Sequence, residues 1–128
     1  MRRFTASRVR SFGHAFEGWW YVLRTQRNLW IHILIAVVVF GTSAWLKLDA
    51  LRWAIVVVTT AMVFAAEFFN TAVEVVVDLV SPEEHHLAKT AKDVAAAAVL
   101  LAALAAVFVG ILVLGPPLLL RLETLLAR

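Results

Sequence analysis

Four polar residues stand at helical spacing in the middle of an otherwise apolar chain. Glu67, Asn70, Glu74 and Asp78 lie at offsets of 0, 3, 7 and 11, which at about 100° per residue puts them in one stripe roughly 80° wide. Phe68, Phe69, Val73, Val75, Val76 and Leu79 occupy the other face. Ionisable groups at membrane depth are costly and normally face a bundle interior or a water-filled site. Asp78 and, in part, Glu74 fit a helix leaving the bilayer. Glu67 does not: it follows fourteen uncharged residues from Trp53 to Ala66, about 21 Å of helix against a hydrocarbon core of roughly 30 Å.

The chemistry open to this set is proton transfer and phosphate handling. A carboxylate at the lipid boundary is a candidate general base for a lipid-borne hydroxyl. Glu74, nearer water, suits Mg²⁺, which is held through one or two carboxylates plus substrate phosphates. Asn70 between them can hold a phosphate or serve a metal. Lys92, followed by Asp93, offers positive charge for a transferring phosphoryl group. Base, metal carboxylate and cation are the minimum parts for phosphoryl transfer. The chain has five glycines, none clustered, which excludes a Walker-type or protein-kinase-type phosphate loop.

The elements that must position these residues follow from composition. The chain has 128 residues, 62% of them hydrophobic, and a net charge of +3. Its mean hydropathy is +0.86, so a single integral membrane domain over 1–128 is expected. With no cysteine, disulfides and thiolate metal sites are excluded. The basic bias favours an anionic membrane surface over nucleic acid. The N-terminus is not expected to be a secretory leader, because its charged part runs on to Arg27 with no short apolar core after it.

Residues 1–28 are expected to form an amphipathic helix on the membrane surface. Phe12, Phe16, Trp19, Leu23 and Gln26 share one face; Arg3, Ser7, Arg10, His14, Glu17, Tyr21, Arg24 and Asn28 follow another. Gln26 continues the apolar stripe and is expected to point into the bundle. A first span is expected over 29–48. Its His32 reads as a boundary residue with a backbone partner and no function. A short polar turn, flanked by Trp45 and Trp53, requires the second span, 51–80, to run antiparallel beside the first. Ser81-Pro82 should break it, with Ser81 capping the next element. The third span is expected over 83–115, ended by Gly115-Pro116-Pro117. Its Ala98, Ala102, Ala106 and Gly110 repeat every four residues and allow close helix approach. Eight Lys and Arg in the N-terminal segment and second loop, against four on the other side, place the N-terminus and the 78–93 loop in the cytoplasm.

Two blocks carry a resemblance: ExxNTAxE from Glu67 to Glu74 followed by VVDLVS, and HxLAKTAKD from His85 to Asp93 followed by an alanine run. Together they resemble the prokaryotic diacylglycerol kinase family, which includes undecaprenol kinases. The resemblance is dense from Ala66 to about Leu104 and looser through FGHAFEGWWYVLRTQRNLWIH. It implies an all-α membrane homotrimer, each subunit a surface helix plus three transmembrane helices. It implies transfer of the ATP γ-phosphate to a lipid alcohol at sites shared between neighbours. By motif position Glu67 matches the catalytic base and lipid contact, and Glu74 a metal ligand. Asn70, Glu83, Glu84, His85, Lys92 and Asp93 match ATP-contacting positions, Glu74 also standing beside the nucleotide. His14 falls where relatives have an aromatic residue near the nucleotide. One departure stands out: the family often has a second metal-binding glutamate where this chain has Gln26, which offers a carbonyl oxygen without charge. Gln26 is therefore expected to bind Mg²⁺ and ATP weakly. The second block lies slightly closer to the undecaprenol kinase branch.

Two other readings compete. A small proton- or ion-coupled transporter would use Glu67 as its coupling carboxylate, yet would not need Glu74, Lys92 and Asp93 at one mouth. A structural subunit would tolerate Glu67→Gln.

Overall fold

The computed structural model describes residues 2–83 and 85–127, with side chains from Ser11 onward. Among the described residues the chain is all-helical, with four helices: α1 (Arg2–Thr25), α2 (Arg27–Trp45), α3 (Ala50–Val80) and α4 (His86–Leu126). The last three are long and apolar enough to cross a membrane.

The surface helix stops earlier than expected. Gln26 adopts an extended conformation (φ −102°, ψ 109°) and makes a corner between α1 and α2 without capping α2 through its side chain. That side chain is therefore free to reach elsewhere. The corner is tied by the Trp30 indole N–H donating to the Leu23 carbonyl at 3.0 Å. Val22 and Leu29 are buried beside it, and Trp19 packs on Phe68 with ring centroids 4.9 Å apart. Phe12 and Phe16 stay exposed, as an apolar face meant for lipid would.

The α2–α3 turn closes as a Schellman motif: Lys47 N–H donates to the Ala44 carbonyl and Leu48 N–H to the Ser43 carbonyl. Lys47 takes the left-handed position (φ 54°). Asp49 then caps α3 by accepting from Arg52 N–H at 3.0 Å. Leu48, Val56 and Val113 are buried together at this end, with Phe40, Trp53 and Val109 packed around them.

Two expectations about the second loop and the third span are corrected. Ser81 does not cap α4. It ends α3, its N–H donating to the Val77 carbonyl and its hydroxyl to the Glu83 carbonyl. A residue before proline is pushed out of the helical region, so Ser81 does not lead into α4, which is capped instead by His85, whose Nδ1 accepts from Leu87 N–H. The helix thus begins at His86, not at 83. Nor does Gly115-Pro116-Pro117 end it: α4 runs through both prolines to Leu126. Proline costs a helix one hydrogen bond and a ring clash but keeps a helical φ, and spanning helices tolerate it. Gly115, before the first proline, has no Cβ, which removes one of the clashes a proline makes with its predecessor. The residues expected as a tail are therefore helical, and the Arg121 guanidinium lies 5.9 Å from the centroid of the Trp45 ring.

Candidate active site

α3 keeps one inward face along its length and changes its chemistry halfway. Val56 and Val63 are the buried residues of the first half; Glu67, Asn70 and Thr71 are those of the second. Glu67 is 1% exposed and Asn70 6%, so the stripe read from spacing is interior at that end, half-buried at Glu74 and exposed at Asp78. Thr71 donates its hydroxyl back to the Glu67 carbonyl at 2.9 Å, which uses up its polar atom locally.

Half-buried Glu74 is the hub. Asn70 Nδ2 donates to its Oε1 at 2.9 Å, and Gln26 Nε2 donates to its Oε2 at 3.2 Å. The Gln26 contact joins residues 48 apart in sequence and exists because the α1–α2 corner aims that side chain at α3. Among the described residues Glu67, in contrast, has no partner on either carboxylate oxygen, and Asn70 Oδ1 has none either. Buried polar atoms are almost always hydrogen-bonded. Three orphans within one turn mark a place prepared for something other than this chain's own side chains.

Below this stripe α3 and α4 diverge around an open cavity of about 600 Å³, lined by Asp78, Glu83, His85, His86, Lys89 and Lys92 among others. That is the size range of small-molecule sites. Lys92 pairs with Asp78 across the two helices. Lys89 pairs with Asp93 one turn along α4, and Asp93 does not line the cavity.

The structure thus brings Gln26, Asn70 and Glu74 into contact and sets Glu67 one turn deeper. It gathers Glu83, His85 and Lys92 around the cavity. Glu84 lies outside the described residues. His14 stays on the exposed face of α1, its Nδ1 3.3 Å from Glu17 Oε2, apart from the other residues. Among the described residues no three His, Asp or Glu side chains converge as a metal cluster.

Two residues were visible in the sequence, but not their settings. Asp78 was legible as the end of the acidic stripe, but its pairing with Lys92 needs the α3–α4 packing. His32 is half-buried and makes no hydrogen bond among the described residues, so the backbone partner expected for it is not found. It sits on the flank of the buried repeat Leu29, Ala36 and Ser43 of α2.

Comparison with known proteins places these residues in a family. The sequence pattern described as "Prokaryotic diacylglycerol kinase" matches residues 13–114. The chain is 49% identical over 110 residues to a protein named "Diacylglycerol kinase" from Synechocystis, covering 85% of this chain and 63% of that protein. It is 38% identical over 109 residues to a protein named "Undecaprenol kinase" from Bacillus subtilis, covering 85% and 89%. It is 32% identical over 102 residues to a "Diacylglycerol kinase" from Escherichia coli K12, covering 77% and 81%.

Proposed function

The chain belongs to the prokaryotic diacylglycerol kinase family, a family of membrane lipid kinases, and from that premise we propose that it transfers the γ-phosphoryl group of ATP to the hydroxyl of a membrane lipid alcohol, diacylglycerol or undecaprenol. The observation that carries this reading is the pair of orphaned Glu67 carboxylate oxygens buried on α3, about two turns from a Glu74 that already gathers two amide side chains.

In this reading the lipid hydroxyl gives its proton to the Glu67 carboxylate. The hydroxyl oxygen forms a bond to the γ-phosphorus. The bond from that phosphorus to the β–γ bridging oxygen breaks, and its electron pair leaves with ADP. Lys92, released from Asp78, offers charge to the phosphates, and Glu83 and His85 border the nucleotide. The donor set fits Mg²⁺, a hard cation that prefers oxygen ligands and keeps waters and phosphates in its shell. Glu74 would hold it, with Asn70 Oδ1 and the Gln26 carbonyl as neutral donors once the amides turn. The ion would neutralise charge on the phosphates.

The family also implies a homotrimer with sites shared between neighbours, and α4 offers half-buried Ala102, Ala106 and Gly110 with exposed leucines beside them, compatible with close helix approach. By the excess of Lys and Arg near the N-terminus and second loop, the site opens to the cytoplasm of a multi-pass cell-membrane protein.

The test uses purified protein in lipid bicelles with Mg²⁺ and ATP labelled in the γ-phosphate, diacylglycerol and undecaprenol being offered separately. Label in one lipid fixes reaction and acceptor together. Folded protein that labels neither would overturn the kinase reading and favour ion coupling through Glu67.

A further inference from the structure

The depth of His32 follows from one contact. Gln26 lies against Glu74, and α2 runs antiparallel to α3 and packs on it. From that pin, His32 is six residues up α2 and Glu67 seven residues up α3, about 9 Å and about 10 Å at 1.5 Å per residue. The two side chains are therefore level. His32 is also on the correct side: it is half-buried between Leu29 and Ala36, two of the buried residues of α2.

Among the described residues, the other polar groups near that level are committed elsewhere or exposed. Asn70 Nδ2 and Gln26 Nε2 are committed to Glu74. Thr71 bonds backbone. Facing α3 from the other side, α4 has no titratable residue between Asp93 and Arg121. His14, Glu17, Tyr21 and Arg24 of α1 are exposed. His32 and Glu74 are the two groups that act electrostatically on the Glu67 carboxylate, and Glu74 is itself an acid. Among the described residues the His32 ring has no hydrogen bond, and Glu67 has none at either carboxylate oxygen. An imidazole without a partner and a carboxylate without a partner share one level of one helix interface.

We propose that His32 is the positioning residue of the Glu67 base: its ring N–H holds one carboxylate oxygen and leaves the other turned toward the lipid hydroxyl. The assignment rests on reading Glu67 as the base. A carboxylate with one oxygen tied is oriented, as second partners orient catalytic groups elsewhere. His32 touches neither nucleotide nor metal in this scheme, so it governs turnover and not nucleotide affinity.

The experiment is steady-state lipid phosphorylation by His32→Ala, His32→Gln, Glu67→Gln and the double variant Glu67→Gln/His32→Ala. His32→Ala is expected to lower kcat by about tenfold or more with KM for ATP within about twofold. His32→Gln, which keeps an N–H donor, is expected to recover most of the loss. In the Glu67→Gln background, removing His32 should cost nothing further, because residues acting as one unit are non-additive. If Glu67→Gln is inactive while His32→Ala keeps full kcat, the base stands and the positioning role falls. A His32→Ala loss that multiplies in full onto Glu67→Gln would assign His32 a structural role and overturn the proposal. An active Glu67→Gln enzyme would overturn both. Should His32→Ala not fold, His32→Phe fills the space without the N–H and carries the same comparisons.

Discussion

Replacing Gln26 with glutamate converts a hydrogen bond into a meeting of like charges, and the consequences can be worked through from one distance. Gln26 Nε2 lies 3.2 Å from Glu74 Oε2. A second carboxylate at about 4 Å costs about 1 kcal/mol in water and about 4 kcal/mol at the effective dielectric of a protein surface. Both residues are half-buried, so about 2 kcal/mol is a reasonable middle value after screening. The lost amide hydrogen bond to a charged group adds about 1.5 kcal/mol. A divalent cation between the two carboxylates removes the repulsion and gains a second charged ligand. Each 1.4 kcal/mol is tenfold in binding, so the Mg²⁺ concentration for half-maximal lipid phosphorylation should fall about tenfold or more in Gln26→Glu. Its melting temperature in micelles should also become Mg²⁺-dependent, low without the ion and restored with it. Titrating Mg²⁺ at saturating ATP and lipid measures the first effect, and thermal melts measure the second. An unchanged or higher Mg²⁺ requirement would refute the reasoning that Gln26 stands in a metal-binding position.

Two further outcomes follow from the loops. His85 caps α4 through Nδ1 and borders the cavity; His85→Asn keeps a capping side chain, so the melting temperature should hold while KM for ATP rises severalfold. A falling melting temperature with unchanged KM would confine His85 to capping. At the opposite turn, the Arg52 backbone N–H, helped by the Arg52 charge and opposed by slight desolvation, holds the Asp49 carboxyl below the ordinary carboxylate range. A depressed folded value means its stabilisation is complete above the unfolded value of about 4 and is lost as pH falls through the folded one. Asp49→Asn, which still caps, should therefore lag the wild type in melting temperature at neutral pH and converge with it in acid; a gap that does not change with pH would contradict the assignment.

The polar stripe on α3 was legible because helical period turns four spacings into one face, and lipid makes any buried carboxylate conspicuous. Three spanning helices were legible from run length. The end of α4 was not: proline stops a helix in water more reliably than in a bilayer, where the helical φ that proline favours lets the chain continue through Pro116 and Pro117. The corner at Gln26 was half legible. Its place on the inward stripe showed, but the extended backbone that frees its side chain for Glu74 did not. His32 was illegible for a different reason. A single histidine carries no period, and its level against Glu67 depends on the α2–α3 register, which only the Gln26–Glu74 contact fixes. Ser81 and His85 exchanged capping roles because Pro82 keeps Ser81 out of helical backbone.

The central claim is that Glu67 is the base, and the most direct measurement is kcat for lipid phosphorylation by Glu67→Gln beside the wild type, both shown to be folded by their melting temperatures. The side chain keeps its size and loses only the capacity to take a proton. General base catalysis contributes about 10²–10⁴-fold, so kcat should fall by at least about 100-fold with KM for ATP little changed. A folded Glu67→Gln enzyme turning over within about twofold of the wild type would contradict the account.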